Sequence, residues 1–237
     1  MDIVECSNLS FAYGNKHIFR KASFSFQCER VIGILGQNGS GKTTLFDLVC
    51  RIKRPSSGIF TCHAKTPAYL SQTLTLPNVL KLRDIFHMIA SLSHSGSCSA
   101  TEIEAKWLDQ EPRIANQYFK LWDKKVSVCS YGEIRFFFAI TMLSLPNELY
   151  ILDEPTAGVD PENRFLIWKA IQAAKAGGAT ILVSSHYIEE VVEGADEFYL
   201  INRQKLEFFK DGETYRQAFG GETLNEAFIR SVGSDQA

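Results

Sequence analysis

The sequence predicts an α/β fold built on a parallel central sheet. Three observations carry that prediction. Val31-Ile32-Gly33-Ile34-Leu35, Leu149-Tyr150-Ile151-Leu152 and Thr180 to Ser184 are short, nearly all-apolar runs, the pattern of strands buried on both faces. The first is followed by a glycine-rich turn and an amphipathic stretch, Thr44-Leu45-Phe46-Asp47-Leu48-Val49. The second is followed by a helical pattern from about Pro161 to Ala176, with Pro161 suited to a first helical turn and Gly177-Gly178 to a stop. Strands that alternate with helices require crossover connections and hence parallel pairing.

The remaining elements follow in chain order. Residues 1–30 hold short β-like runs at Ile3-Val4, Leu9 to Tyr13 and Ala22 to Phe26, with Gly14-Asn15 as a turn between them. Ile59 to Cys62 and Ala68 to Leu70 are further short strands, bounded by Pro55, Gly58 and Pro67. From residue 78 to about 145 the character changes. Leu82, Ile85, Phe86, Ile89 and Leu92 recur at helical spacing, residues 93–99 read as a loop, and Thr101-x-x-Glu104 has capping-box spacing. Trp107, Ile114, Phe119, Leu121 and Trp122 supply apolar contacts, so the stretch reads as a mostly helical insert. Glu197 to Ile201 and Lys205 to Phe209 form a hairpin around Asn202-Arg203-Gln204, and residues 212–237 a polar helical tail.

Chemistry concentrates first at Gly36-Gln37-Asn38-Gly39-Ser40-Gly41-Lys42-Thr43, with Thr44 opening the helix. A strand, this turn and a helix are the context of a P-loop. Triphosphate oxygens need many donors at short range. Gly36, Gly39 and Gly41 let backbone N–H groups converge, and the helix adds its unpaired N-terminal donors and its dipole. Lys42 places a mobile charge on the outer phosphates, and the Thr43 hydroxyl is the expected Mg²⁺ ligand. A hydrophobic strand ending in Asp153-Glu154 supplies the second half of such a site. Strand C-termini in a parallel sheet point at the ligand crevice. Asp153 is expected in the Mg²⁺ shell, and Glu154 is expected to orient or deprotonate the attacking water.

Asp153-Glu154-Pro155-Thr156-Ala157-Gly158-Val159-Asp160-Pro161 resembles the Walker B and D-loop run of ABC ATPases, and the resemblance covers nearly the whole chain. It implies a P-loop NTPase (RecA-like) core with a small N-terminal antiparallel β subdomain and a helical insert. It also implies one ABC ATPase domain over residues 1–237. Within it, 1–77 and 146–211 form the catalytic core with the β subdomain, 78–145 the helical subdomain carrying the signature, and 212–237 a C-terminal tail. Tyr13, in Phe11-Ala12-Tyr13-Gly14, matches the aromatic that stacks on adenine, which makes ATP the expected nucleotide. Gln72, in Tyr69-Leu70-Ser71-Gln72, matches the Q-loop glutamine that senses metal and nucleophile. His186, closing Ser184-Ser185-His186, matches the switch histidine at the γ-phosphate. The place of the signature, LSGGQ in the family, is taken by Cys129-Ser130-Tyr131-Gly132-Glu133. Ser130 and Gly132 match. Cys129 and Tyr131 depart, and Glu133 is a variant that adds a negative charge where the family caps the γ-phosphate held by a second subunit.

Charge nearly balances, with Lys+Arg at 25 and Asp+Glu at 27. That balance argues against a strongly basic nucleic-acid surface, and no nucleic-acid partner is expected. The six cysteines show no CxxC pair, so neither a zinc site nor a disulfide framework is suggested. The N-terminus lacks a signal-peptide core. No stretch reaches the ~18 apolar residues of a spanning helix. The resemblance therefore implies the ATP-hydrolysing subunit of an ABC transporter, held at the cytoplasmic face of the inner or plasma membrane by integral membrane permease subunits. A second ABC ATPase subunit, identical or not, would complete each ATP site. Thr156 to Pro161, Ser184 to Glu190 and the tail Glu222 to Ile229 lean towards drug-resistance and ABC-2-type exporters. Two other readings stay open. One is a nucleotide-gated regulatory module that hydrolyses little because of Tyr131. The other is a soluble ABC ATPase serving cofactor or metal-cluster assembly.

Overall fold

A computed structural model describes residues 1–93, 98–185 and 187–233. The expected loop falls partly outside these residues, at 94–97, as do the last four residues of the tail.

The first sheet is antiparallel. β1 (Asp2–Tyr13) lies between β2 (Lys16–Gln27) and β4 (Ser57–Cys62). The two runs expected before Gly14 are one strand of 12 residues, carried through Asn8 by register irregularities. Residue Asn8 sits at φ 54, where a short polar side chain is tolerated. The second sheet runs β5-β6-β7-β3-β8-β9. Its strands are β3 (Val31–Leu35), β5 (Ala68–Leu70), β6 (Leu149–Asp153), β7 (Thr180–Ser184), β8 (Glu197–Asn202) and β9 (Lys205–Phe209). Five strands are parallel and β9 is an antiparallel edge. All residues of β3, β6, β7 and β8 are buried, as expected for strands covered on both faces. β8 and β9 join through Arg203 and Gln204, both at positive φ (46 and 62), the backbone of a two-residue hairpin turn.

α1 (Lys42–Val49) follows the glycine-rich turn. The insert contains α2 (Leu82–Leu92), α3 (Ala100–Gln110), α4 (Pro112–Leu121) and α5 (Tyr131–Ser144). Its core is aromatic. Trp107 and Tyr118 are fully buried, and Tyr118 stacks on Phe137 with ring centres 4.4 Å apart. Leu92, counted on the buried face of α2 by its spacing, is 77% exposed at the helix end. The capping box of α3 also lies two residues earlier than expected. Ser99 accepts from the Glu102 backbone, and the Glu102 carboxylate accepts from the Ser99 N–H at 2.7 Å, which leaves Thr101 and Glu104 inside the helix. Ser99 wins because it is the last residue with extended backbone, the geometry an N-cap requires.

α6 (Pro161–Ala176) returns the chain to β7, and α7 (Ile188–Gly194) leads to β8. Phe165 of α6 is 48% exposed, with the Arg113 guanidinium 5.3 Å from its ring centre. α8 (Gly212–Phe219) and α9 (Leu224–Gly233) fold back on α7 and form a third apolar cluster with Leu35, Ile188, Val191, Phe198 and Phe209. Among the described residues, no helix is long and apolar enough to cross a membrane.

Candidate functional site

The C-terminal ends of β3 and β6 and the N-terminus of α1 meet at one cleft of about 220 Å³. Its walls include Tyr13, Gln37, Asn38, Gly39, Gly41, Lys42, Thr43, Thr44, Gln72 and Glu154. Lys16 and Ile18 of β2 join them, and no sequence motif marked those two. Gly36 lies at the entry to the turn. Ser40 lines a neighbouring cleft, its hydroxyl buried and without a hydrogen-bond partner among the described residues.

The turn is shaped by its surroundings. Gly41 is the N-cap of α1 at φ 117, and a Cβ there would come within 2.6 Å of Ile18. Glycine at this position lets β2 press against the cradle. Lys42 is 6% exposed, and its ammonium donates to the carbonyls of Gly36 (2.8 Å) and Gln37 (3.3 Å). Burial pulls its pKa below the usual 10.5, while the carboxylates of Glu154 and Asp153 push it back up. The ammonium is thus held over the cradle by two weak acceptors, which phosphate oxygens would outcompete.

A run of hydrogen bonds links the acidic residues. The Thr43 hydroxyl donates to Asp153 Oδ2 at 2.9 Å, and the Ser184 hydroxyl donates to Asp153 Oδ1 at 2.6 Å. Ser184 Oγ also accepts from the Glu154 N–H at 3.0 Å. Gln72 Nε2 donates to Glu154 Oε2 at 2.9 Å. Glu154 sits at φ 55, a left-handed conformation that costs a non-glycine residue on the order of 1 kcal/mol and is found at functional sites. Two groups hold it there: the Ser184 hydroxyl on its N–H, and Arg135 Nε on its carbonyl at 3.1 Å. Among the described residues no cluster of three His, Cys, Asp or Glu side chains could hold a metal alone. A hydroxyl and a carboxylate, Thr43 and Asp153, suit a hard divalent cation that takes its other oxygens from phosphate and water.

Tyr13 is 46% exposed, with Lys53 Nζ 5.2 Å from its ring centre and its hydroxyl 3.4 Å from Thr44 Oγ1. The ring lines the cleft, with Phe11 edge-on to it, centroids 5.0 Å apart. His186 lies outside the described residues.

Ser130 and Gly132 do not line this cleft. They open α5, where the Ser130 side chain caps the helix and accepts from the Glu133 backbone at 3.1 Å. The Glu133 carboxylate returns to the Ser130 N–H at 2.8 Å and pairs with Lys124 at 2.8 Å, and that pairing keeps its pKa below the usual carboxylate range. The negative charge expected to oppose phosphate is therefore already committed to a cap and a lysine. Gly132 abuts the next loop. A Cβ there would meet the Gly158 carbonyl at 2.4 Å.

Arg135, one turn along α5, carried no motif signal. It is fully buried, and it donates to the carbonyls of Ser71 (2.6 Å), Gln72 (3.2 Å), Glu154 (3.1 Å) and Asp153. Its planar fork of donors matches this spread of acceptors. The signal was available: a lone arginine in the apolar run Ile134 to Ile140 must find buried acceptors. Thr156 and Glu190 were likewise unmarked as partners. The Thr156 hydroxyl donates to Glu190 Oε2 at 2.8 Å, and Arg164 donates to Glu190 Oε1 at 2.9 Å, tying the loop after Asp153 to α7.

Comparison with known proteins agrees with this geometry. The sequence profile of a family described as "ABC transporter" matches residues 19–157. The chain is 28% identical over 243 residues to Protein McbF of Escherichia coli, covering 97% of this chain and 95% of the relative. It is 28% identical over 206 residues to a Nod factor export ATP-binding protein I of Burkholderia lata, covering 84% of this chain and 67% of the relative. A solved ATP-binding subunit of an ABC transporter superposes with a TM-score of 0.77 at 21% identity, covering 96% of this chain and 98% of that one.

Proposed function

The chain belongs to the ABC transporter family as an ATP-binding subunit, and on that premise we propose that it hydrolyses ATP to power transport, working as one of a pair. The observation that carries this reading is the bonded run Thr43–Asp153–Ser184–Glu154–Gln72 at the foot of the Lys42 cradle. A module that only bound nucleotide would need no carboxylate held in a strained backbone beside the phosphates.

In this reading the adenine ring stacks on Tyr13, and the phosphates lie over the N–H groups of Gly36 to Thr44, with Lys42 on the outer ones. Thr43 and Asp153 would hold Mg²⁺, with Gln72 alongside. Held there, the cation would supply positive charge against the outer phosphates. The Glu154 carboxylate takes the hydrogen bond of the attacking water, and Gln72, donating to Oε2, fixes its orientation. His186 is proposed to contact the γ-phosphate. Ser130 and Gly132 are proposed to cap the γ-phosphate of a second subunit through a hydroxyl, a close backbone N–H and the α5 dipole. We further propose residues 1–77 and 146–211 as the catalytic core, 78–145 as the helical subdomain and 212–237 as the tail.

The chain is proposed to sit at the cytoplasmic face of the membrane through permease subunits. The exposed apolar side chains Val79, Met88 and Val128 all lie on the insert, and apolar exposure of this kind suits such a partner. The relative named for Nod factor export supports an exporter.

The test is Glu154→Gln. Phosphate release should fall roughly 10²- to 10³-fold, the share expected of a general base, while the affinity for a fluorescent ATP analogue stays within about twofold. Turnover at the parental rate would remove Glu154 from this role.

A further inference from the structure

Tyr131 stands where the family signature has glycine, and the structure shows where its bulk goes. The ring lies against Gly158 of its own chain, close enough that a Cβ on Gly158 would come within 2.9 Å of Tyr131 Cδ1. Gly158 stands at φ 70, which favours glycine for a second reason. The phenol reaches in the other direction and donates to the Gln72 carbonyl at 3.3 Å. That carbonyl also accepts from Arg135 at 3.2 Å. The side chain of the same Gln72 donates to Glu154 Oε2 at 2.9 Å. One residue therefore connects the phenol of the α5 N-terminus to the carboxylate proposed to act on water.

The two ends of that connection serve different nucleotides in the proposed pair. Ser130 and its neighbours face the ATP held by the partner subunit, while Glu154 faces the ATP held by its own chain. We propose that Tyr131 is a positioning residue that couples the two ATP sites of the pair. Closure of α5 on the partner's nucleotide moves the Tyr131 phenol, the phenol carries the Gln72 carbonyl, and the Gln72 carboxamide sets Glu154. Coupling of this kind is a free energy between sites, and it must show as cooperativity in ATP. The proposal rests on the paired, hydrolytic reading above. It goes beyond that reading by giving a structural role to a side chain that the family pattern lacks.

Tyr131→Phe keeps the ring on Gly158 and removes only the hydroxyl. In the full-length chain, kcat should fall about three- to tenfold, the worth of one ordinary hydrogen bond. The Hill coefficient for ATP should drop from above one to one. Affinity for the fluorescent ATP analogue, measured in the Glu154→Gln background, should stay within about twofold, so that kcat moves without binding. Tyr131→Gly should give the same Hill coefficient as Tyr131→Phe. A parental Hill coefficient of one overturns the coupling, as does a Tyr131→Phe chain with parental kcat and cooperativity. A loss of affinity that matches the loss of kcat also overturns it, because the phenol would then be acting on nucleotide. If the parental chain releases no phosphate, the hydrolytic reading falls, and amide exchange over residues 71–80 decides the link by itself. Faster exchange in Tyr131→Phe supports it, and unchanged exchange removes it.

Discussion

At the residue scale, the groups proposed to meet phosphate were legible and those that hold them were not. Lys42, Thr43, Asp153, Glu154 and Gln72 announce themselves by spacing, because a phosphate cradle and a strand-end carboxylate each need particular atoms at particular places. The structure brings all five together. Arg135 and Ser184 are bound by no such rule. Their partners are backbone atoms and neighbouring carboxylates that only the folded chain brings close. Arg135 should nonetheless be costly to lose. Replacing it with Met fills similar space but leaves the carbonyls of Ser71 and Asp153 without their charged donor. Unfolding free energy should drop by at least about 2 kcal/mol, since each orphaned buried acceptor costs on the order of 1–3 kcal/mol. Urea midpoints of the two proteins give the comparison. Lys at this position should recover only part of the loss, because one ammonium cannot span acceptors arranged for a planar fork.

At the element scale, α5 shows why short-range signals succeed for a helix and fail for its neighbours. Ser130 as the N-cap and the apolar run to Ser144 follow from local chemistry. The reciprocal cap from Glu133 is also local, through its Ser-x-x-Glu spacing, and it changes what the charge means. What the sequence alone leaves open is that the first turn of α5 presses on the loop after Asp153. The contact is between residues distant in the chain, and it makes Gly132 a packing residue as well as a proposed phosphate contact. Gly132→Ala should destabilise the protein by about 1–3 kcal/mol, the usual toll of overpacking, because the 2.4 Å approach to the Gly158 carbonyl is to backbone and cannot be relieved by a rotamer change. A melting curve for the variant that matches the parent would refute this packing role. The misplaced cap of α3 teaches a related lesson. Ser99 and Thr101 both have an acid three residues on, and only backbone conformation separates them.

At the scale of the whole molecule, the class of fold and its parallel sheet were legible because buried strands and crossover helices leave long-range marks in hydrophobicity. The order of strands was not, since nothing local tells β3 that its neighbours are β7 and β8. Nor did the sequence reveal that the C-terminal helices cover the back of the site. Leu224, Ala227 and Phe228 of α9 pack into the cluster that holds Leu35, at the end of β3, and Ile188, at the start of α7. The Asn225 amide donates to Glu189 of α7. A chain ending at Gly221 should lose roughly 2–4 kcal/mol of stability from the apolar area uncovered. It should also bind the fluorescent ATP analogue more weakly, since the support behind Leu35 and Gly36 would be gone. Parental affinity and parental denaturation in the shortened protein would show α9 to be an ornament.

The strand order has one more consequence, and it concerns how the protein is made. β3 leads into the proposed nucleotide cradle and lies early in the chain, yet both of its partners lie after residue 179. Translation proceeds at roughly 5–20 residues per second, so the wait between β3 and β8 lasts on the order of ten seconds or more. During that interval Val31 to Leu35, with every side chain destined for burial, is outside the ribosome without a neighbour in its sheet. The newborn chain is therefore exposed to aggregation at the strand that leads into the proposed phosphate cradle.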